Sequence, residues 1–156
     1  MKITLLVVGK TTDTRVETLI QDYQKRLTHY IPFSLQVITE LKNTKSLSPD
    51  QQKQAEGELI LRSIAQSADL LLLDEHGKEF RSIEFADYVQ KKMSSGRDIV
   101  FVVGGPYGFS NEVYQRANGK ISLSKMTFSH QMVRLFFVEQ IYRAMTILRG
   151  EPYHHE

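Results

Sequence analysis

Residues 99–110 read IVFVVGGPYGFS, and this stretch decides the fold. Its first five residues are all apolar and mostly β-branched, which is typical of a central strand that is covered on both faces. Gly104, Gly105 and Gly108 allow a ligand to approach the backbone closely, and Pro106 stiffens the turn. A helix is predicted to begin after Ser110, where its first amides can receive polar ligand atoms. The stretch predicts a binding loop at the carboxyl end of a strand, and a purely structural turn is the alternative.

The same alternation of strands and helices runs along the whole chain. Five short segments rich in Val, Ile and Leu are predicted strands: Ile3–Val8, Leu35–Ile38, Leu70–Leu73, Ile99–Val103 and Ile121–Leu123. Two predicted helix starts carry capping signals, which are Thr14 with Glu17, and Ser48 with Pro49 and Gln51. The pattern predicts one domain over residues 1–156 with an α/β fold, in which a parallel sheet has helices on both faces.

The last predicted helix, about Gln131–Leu148, is apolar almost all the way round. Such a helix is buried on more than one side. Either another subunit covers the second side, which predicts a homodimer with an apolar interface, or the helix lies in the centre of the core. The residues leave both interpretations open.

The composition excludes several classes of protein. The chain has no cysteine, which excludes a disulfide scaffold, a thiolate metal site and a cysteine nucleophile, and is compatible with the cytoplasm. No segment approaches the roughly 20 apolar residues that cross a bilayer, so we expect a soluble protein with no membrane partner. The net charge is +2, and residues 116–156 contain six Lys or Arg against three Asp or Glu. A solvated surface or a phosphate-facing end explains this excess.

Three short motifs are weak matches to known sites. Val7–Thr12 resembles the end of a phosphate-binding loop, but Thr4 stands where that loop needs a glycine, so a tight turn is predicted. Asp74–His76 and His154–His155 lack the spacing of metal ligands, and we predict no metal site. Ser129–His130 lacks the glycines of a nucleophile elbow, which argues against a covalent serine mechanism.

Two further loops and the tail join the predicted binding region. Ser124–His130 follows the last predicted strand, and Asp74–Lys78 follows the third. Open parallel sheets bind ligands outside the carboxyl ends of their strands, so these loops and the glycine-rich loop are expected to converge. The tail, Arg149–Glu156, is aromatic, basic and ionisable. It is either disordered or able to stack on an exposed base and exchange protons with it.

Several of these segments together resemble the RlmH family of SPOUT-class RNA methyltransferases. The resemblance covers essentially the whole chain. It is carried by Leu71–Asp74 with Gly77 and Lys78, Gly104-Gly105-Pro106 with Gly108, Ser122–Ser124 with Thr127 and His130, and Pro152-Tyr153-His154. At His155 the sequence departs from the family pattern, which has Arg or Lys there.

The resemblance implies a fold and an activity. The fold is a SPOUT-type parallel sheet with a C-terminal deep trefoil knot, in a homodimer. Knots are nearly absent among protein folds, so no rule of periodicity predicts this one. The activity is methylation of N3 of a pseudouridine in 23S ribosomal RNA. S-adenosylmethionine is the methyl donor, no metal is required, and assembled ribosomes are the expected substrate.

The resemblance also implies the site residues. The donor is expected at Leu73, Gly104, Gly105, Leu123, Lys125, Met126, Thr127, Phe128, Ser129 and His130. At the acceptor, His154 is expected to handle a proton or position the base, Tyr153 to stack or hydrogen-bond, and Arg143 to face phosphate or the base. Arg143 also lies four residues after Glu139, so an ordinary helical ion pair is the alternative.

Two other functions compete with methyl transfer. A non-enzymatic nucleotide- or RNA-binding module would use the same glycine-rich loop and tail, and only turnover of the donor separates it from an enzyme. A nicotinamide-dependent oxidoreductase is disfavoured, because the first strand lacks the dinucleotide fingerprint.

Overall fold

The computed structural model describes residues 1–156. The strands are β1 Ile3–Val8, β2 Phe33–Ile38, β3 Asp69–Glu79, β4 Ile99–Val103 and β5 Gly119–Ser122. The helices are α1 Thr14–Leu27, α2 Pro49–Arg62, α3 Ser82–Met93, α4 Asn111–Arg116 and α5 Met132–Leu148, with a 3-10 turn at Thr44–Ser46. All neighbouring strands run parallel, in the order β2-β1-β4-β3-β5, which confirms the predicted parallel sheet.

Helices cover both faces of this sheet, as predicted. Strand side chains alternate between the faces. Leu5 and Phe101 belong to the core beneath α1, α3 and α5, whereas Leu6 and Val102 belong to the core beneath α2 and α4. All four are almost inaccessible to solvent, and burial of such a side chain contributes roughly 1.5–3 kcal/mol. β4, β3 and β5 are consecutive neighbours in this order. The segments that follow these three strands therefore leave the sheet side by side.

The helix starts follow capping chemistry, with one correction. The Gln51 amide donates to Ser48 Oγ (3.1 Å) and the Ser48 amide donates to Gln51 Oε1 (2.8 Å), which confirms the capping box of α2. The prediction of Thr14 as the cap of α1 is wrong. Asp13 is the cap, and its Oδ1 accepts from the Arg15 amide at 2.9 Å. A carboxylate competes better than a hydroxyl for this position, because its charge meets the positive end of the helix dipole.

β3 extends beyond Leu73, where the predicted strand ends, and contains an irregularity. Both Leu73 and Lys78 pair with Ile121 of β5, so residues 74–77 bulge out of the ladder. The predicted loop over residues 74–78 is therefore a bulge within a strand and not a strand end. A Cβ atom on Gly77 would lie 2.5 Å from the carbonyl carbon of Ile121. Only glycine permits so close an approach of two backbones.

α5 packs on α1 and α3 with one face and leaves the opposite face partly open. Phe137, Val138 and Ile141 are fully buried, whereas Phe136 is 41% exposed. Within one chain α5 is largely buried between α1 and α3, and Phe136 is its one exposed residue, so the choice between a core helix and a dimer helix stays a prediction. None of the helices combines the length and the hydropathy needed to span a membrane.

The turn after β1 is fastened to α5. Arg134 is buried and donates to the carbonyl oxygens of Val8 and Gly9, each at 2.9 Å. It also donates to Thr11 Oγ1 at 3.0 Å. Gln131 adds hydrogen bonds to the backbone of residues 10 and 12. We call this arrangement the Arg134 clamp. The turn presents carbonyl oxygens to an arginine, which agrees with a tight turn and not with a phosphate-binding loop.

Candidate functional site

A cavity of about 530 Å³ opens at the β3 bulge and at the carboxyl ends of β4 and β5, and we call it the strand-end cavity. Its volume lies in the roughly 300–1,000 Å³ range of small-molecule sites. All three segments predicted to converge contribute to its wall. The predicted donor residues that line it are Leu73, Gly104, Gly105, Leu123, Met126, Thr127, Phe128 and His130.

Lys125 and Ser129 do not line the strand-end cavity. The Lys125 side chain is 87% exposed, and its ammonium group lies 3.9 Å from a carboxylate oxygen of Glu79. Ser129 Oγ accepts from the Met132 amide at 3.0 Å and so helps to begin α5. Their side chains serve the surface and the helix start, which leaves only their backbone groups for a ligand.

Lys53 lines the strand-end cavity although no sequence pattern indicated it. It belongs to α2, which is distant in sequence from the glycine-rich loop. Glu56 lies one turn further along α2 and is buried behind that loop. Charged residues within a polar helix are ordinarily solvated, so the sequence carried no signal for either position.

At Gly104 and Gly105 the glycine-rich loop is packed too tightly to accept a side chain. A Cβ atom on Gly104 would lie 3.0 Å from the Phe109 ring, and one on Gly105 would collide with the Glu56 carboxylate. Gly108 has a φ of 81°, a left-handed conformation that favours glycine. The loop therefore offers bare backbone to the strand-end cavity.

Apolar side chains form the wall that follows β5. Met126 is 78% exposed. Phe128 packs against Phe136 of α5 with ring centroids 5.4 Å apart. A second, apolar groove of about 350 Å³ continues from Phe128 to Phe80 and Phe85. Exposed apolar surface therefore adjoins the strand-end cavity on the side of α5.

Asp74 holds the β3 bulge beside the strand-end cavity. Its carboxylate accepts from the Tyr114 hydroxyl and from the His76 amide, the latter at 2.8 Å. Burial, followed by the hydrogen bond to Asp74, raises the pKa of Tyr114 to about 12. The phenol therefore stays protonated at neutral pH and the bond persists, so the bulge is fixed in place.

A second group of polar side chains lies where the tail folds back on α5. We call it the tail cluster, and it comprises Tyr23, Glu139, Arg143, Tyr153 and His154. The Arg143 guanidinium donates to Glu139 Oε1 (2.6 Å) and to His154 Nδ1 (3.1 Å). The Tyr153 hydroxyl donates to Glu139 Oε1 (2.8 Å) and lies 3.2 Å from the Tyr23 hydroxyl. Arg143 thus forms the helical ion pair and also contacts the tail.

The hydrogen bonds of the tail cluster define its proton positions. Burial, with hydrogen bonds to Tyr23 and Glu139, raises the pKa of Tyr153, so its hydroxyl stays protonated. An arginine can only donate, so Nδ1 of His154 accepts and the proton of the neutral ring sits on Nε2. Nε2 is buried, forms no hydrogen bond and lies 3.6 Å from a carboxylate oxygen of Glu156. His154 therefore presents a donor whose nearest acceptor is the tail carboxylate of Glu156.

The tail is ordered by the way α5 ends. Gly150 has a φ of 68°. The amides of Gly150 and Glu151 donate to the carbonyl oxygens of Ile147 and Thr146, each at 3.0 Å. This is the Schellman arrangement, which turns the chain back along the helix. The interpretation of the tail as disordered is wrong.

A basic surface flanks the tail cluster. It forms a depression of about 470 Å³, lined by Asp22, Lys25, Arg26, His29, Tyr30, Tyr142 and Arg149. The Arg149 guanidinium lies 4.3 Å from the centre of the Tyr30 ring, and that of Arg26 lies 4.9 Å from the Tyr23 ring. Cations interleaved with aromatic rings are typical of surfaces that bind nucleic acid.

The tail cluster and the strand-end cavity do not meet within one chain. No residue of the tail cluster lines the cavity. Val133 of α5 lines it, and Arg143 lies ten residues later, about 15 Å along the helix. The two predicted groups of site residues are therefore separate in the single chain.

Comparisons with known proteins cover both regions. A family model described as predicted SPOUT methyltransferase matches residues 1–154. Curated proteins named ribosomal RNA large subunit methyltransferase H are similar to this chain. Identity is 64% for the protein of Bacteroides thetaiotaomicron, 60% for that of Parabacteroides distasonis and 59% for that of Flavobacterium psychrophilum. Each match covers 100% of both chains.

Proposed function

The chain belongs to the SPOUT methyltransferase family, and we propose that it transfers a methyl group from S-adenosylmethionine to ribosomal RNA of the large subunit. The relatives are named ribosomal RNA large subunit methyltransferase H, and they match this chain over its full length. The protein is therefore an enzyme and not a passive binding module. The observation that carries the proposal is the convergence of three segments on the strand-end cavity.

The strand-end cavity is the proposed donor site. Its residues fit S-adenosylmethionine, because the bare backbone of Gly104 and Gly105 can bond polar atoms of the donor, and Leu73, Leu123 and Phe128 provide apolar walls for an adenine ring. When bound, the donor supplies a methyl group that its sulfonium already activates. The task of the chain is to hold the methyl group in line with its acceptor.

The tail cluster is the proposed acceptor site, for N3 of a pseudouridine. The Nε2–H of His154 forms no hydrogen bond and lies 3.6 Å from Glu156, and it is suited to a carbonyl oxygen beside N3 that takes the place of that carboxylate. Such a bond stabilises the negative charge that develops on the imide as N3 loses its proton. Arg143 adds positive charge, and its guanidinium also stacks 4.8 Å from the Tyr153 ring centre. In this arrangement His154 positions the base, and the N3 proton passes to solvent water as the methyl group moves from the sulfonium to N3.

A homodimer brings the two half-sites together in this proposal. Methyl transfer needs reacting atoms about 3–3.5 Å apart, and one chain keeps its tail cluster away from its own strand-end cavity. The exposed Phe136 and the adjoining apolar groove give α5 a surface for a second copy. The tail cluster of one chain would then complete the cavity of its partner.

Mixed dimers test this arrangement. Gly105→Arg blocks the donor half-site and His154→Ala removes the acceptor half-site, so each variant alone should be inactive. Equal amounts, dissociated and reassociated at random, should recover about a quarter of the wild-type activity, because half of the dimers are mixed and each has one intact site. Recovery no greater than the sum of the separate variants would place both half-sites in one chain.

The basic surface is proposed to bind ribosomal RNA phosphates. Lys25, Arg26 and Arg149 lie beside the tail cluster, on the side where an RNA strand would enter. The net charge of +2 is small for a protein that holds free RNA. Assembled ribosomal particles are therefore the proposed substrate, and the cytoplasm the proposed location.

We also propose that the chain is threaded as the deep trefoil knot of this fold family. In support, Gly77 and Ile121 bring the backbones of β3 and β5 into direct contact, and the segment after β5 returns to the Arg134 clamp. Pulling the ends apart in optical tweezers tests the threading. A knotted chain stops short of its extended length of roughly 3.3–3.6 Å per residue, whereas an unknotted chain reaches it.

Calorimetric titration with S-adenosylmethionine, followed by methylation of ribosomal particles, tests the function. Wild type should bind the donor, Gly105→Arg should not, and Gln54→Arg, which places the same side chain on an exposed position of α2, should bind normally. Mass spectrometry of digested RNA should then find one methylated pseudouridine. Failure of a folded wild type both to bind donor and to methylate any particle would overturn the proposal.

A further inference from the structure

Glu56 is a buried carboxylic acid to which the proposed reaction assigns no task. It lies on α2 and is 5% exposed. Its Oε1 atom has no hydrogen-bond partner, and Oε2 meets only the Gln52 side-chain amide, at 3.4 Å. No Lys, Arg or His side chain forms an ion pair with it. Such surroundings favour the neutral form of an acid more than water does, because an unpaired buried charge is costly.

The Glu56 carboxyl group packs directly on the backbone that lines the strand-end cavity. Its Cδ atom would lie 2.8 Å from a Cβ atom on Gly105, so it fills the space where a side chain would be. The next residue, Gly57, brings α2 equally close to Ser110. A Cβ atom on Gly57 would lie 3.1 Å from the Cβ atom of Ser110. One layer of backbone separates the carboxyl group from the cavity.

The ionisable groups around Glu56 come from three segments. Burial raises its pKa above the ordinary value, the Gln52 hydrogen bond and His130 lower it, and Glu40 raises it. Lys53, one turn earlier on α2, lines the cavity itself. A positive charge placed in the cavity acts in the same direction as His130 and favours the ionised carboxylate.

We infer that Glu56 is the counter-charge for the sulfonium of the methyl donor, and that it makes the cavity prefer the cationic donor over the neutral by-product. The inference rests on the proposed function, in which the donor occupies the strand-end cavity. Methyl transfer converts the sulfonium to an uncharged thioether, so S-adenosylhomocysteine lacks the charge that Glu56 attracts. Coulomb attraction across one backbone layer, at an effective dielectric constant of about 20, corresponds to about tenfold in relative affinity.

This preference depends on pH with a defined sign. When Glu56 is protonated, it gives no preference, and the donor must displace a proton into the buffer to gain the attraction. The ratio of donor affinity to by-product affinity should therefore rise with pH through the pKa of Glu56 and then level off. The titration of the ligands themselves is the same in wild type and in Glu56→Gln, so the comparison of the two proteins isolates the contribution of Glu56.

Calorimetric titration of the full-length protein with both ligands, from about pH 5 to pH 8 in buffers of different ionisation enthalpy, tests the inference. Wild type should bind S-adenosylmethionine with more proton release than S-adenosylhomocysteine. In Glu56→Gln the affinity ratio should fall about tenfold and lose its pH dependence, while by-product affinity stays unchanged. The control Glu58→Gln removes the same charge from an exposed position on α2 and should behave as wild type.

Two outcomes overturn the inference when Glu56→Gln folds. Equal weakening of both ligands in Glu56→Gln would mean that Glu56 only supports the loop. A pH dependence that disappears in His130→Gln instead would assign the effect to His130. If Glu56→Gln does not fold, the His130→Gln variant tests the inference instead. In that variant the donor should still release more protons on binding than the by-product does, and equal release would overturn the inference. If neither ligand binds wild type, it is the proposed donor site itself that fails.

Discussion

His154 has one ring nitrogen hydrogen-bonded, and the other is buried without a hydrogen bond, 3.6 Å from a Glu156 carboxylate oxygen. The bound nitrogen accepts from Arg143, which Glu139 anchors at 2.6 Å. The chain of contacts from Glu139 through Arg143 fixes both the orientation and the tautomer of the imidazole. None of these residues lines the strand-end cavity, so their loss should affect the acceptor and not the donor.

Replacement of His154 by Ala tests this assignment. Removal of one donor to a developing negative charge typically costs about 10²–10³-fold in rate, and we expect a loss of that size in single-turnover methylation of ribosomal particles. Affinity for S-adenosylmethionine should change less than about twofold. His154→Gln keeps an N–H donor and should recover part of the rate. A parallel loss of donor binding and rate would contradict the acceptor role.

Arg134 makes a different kind of contribution, to stability. Arg134→Met removes three hydrogen bonds to buried or half-buried acceptors, and we expect the free energy of unfolding in urea to fall by about 2–4 kcal/mol. Arg149→Met is the control, because Arg149 is exposed and should cost less than about 1 kcal/mol. Equal, small losses in both variants would show that the Arg134 clamp contributes little.

At the scale of secondary-structure elements, local chemistry determines the helix starts and long-range pairing determines β3. Ser48 and Gln51 could be recognised because both partners of each bond lie within one turn. Residues 74–79 are largely polar and could not be recognised as strand. They belong to β3 only because β5, more than 40 residues later, pairs with Lys78 and Glu79 beyond the bulge. The folded conformation of the tail likewise could not be predicted from the sequence, because it depends on packing against α5 and α1.

The identification of Asp13 as the N-cap of α1 has a direct consequence for stability. Asp13→Ala and Ser48→Ala each remove a side-chain cap and should lower the free energy of unfolding by about 1 kcal/mol, with a range of roughly 0.5–2. Thr14→Ala should have an effect below about 0.5 kcal/mol, because Thr14 is the first helical residue and not the cap. Thermal unfolding of the three variants measures this. A larger effect at Thr14 than at Asp13 would restore the original prediction.

At the scale of the whole molecule, the sequence predicted the sheet, its coverage and the convergence of three segments, because each depends on local periodicity and on a general rule about parallel sheets. It did not predict that Lys53 and Glu56 of α2 border the same loop, since helix packing decides that. Nor did it predict that α5 holds the tail cluster about 15 Å from the strand-end cavity.

The exposed face of α5 gives a prediction about assembly. Phe136→Glu places a charge on the proposed interface, and the variant should sediment as a monomer that still binds S-adenosylmethionine but does not methylate ribosomal particles. Leu19→Glu makes the same change at another exposed apolar residue, on α1, which is 47% exposed, and should remain a dimer. A Phe136→Glu variant that stays dimeric would place the interface elsewhere.

The Arg134 clamp also constrains the order of events during protein synthesis. Val8, Gly9 and Thr11 are translated before Arg134, which is added 123 residues after Thr11, roughly 6–25 s later at usual elongation rates. Until then the carbonyl oxygens of the first turn have only water as a partner. A nascent chain that stalls before Ser124 has neither the clamp nor the wall that residues 124–130 give the cavity. With the strand-end cavity as the proposed donor site, such a chain should not hold the methyl donor, and the site is completed only after all five strands have been translated.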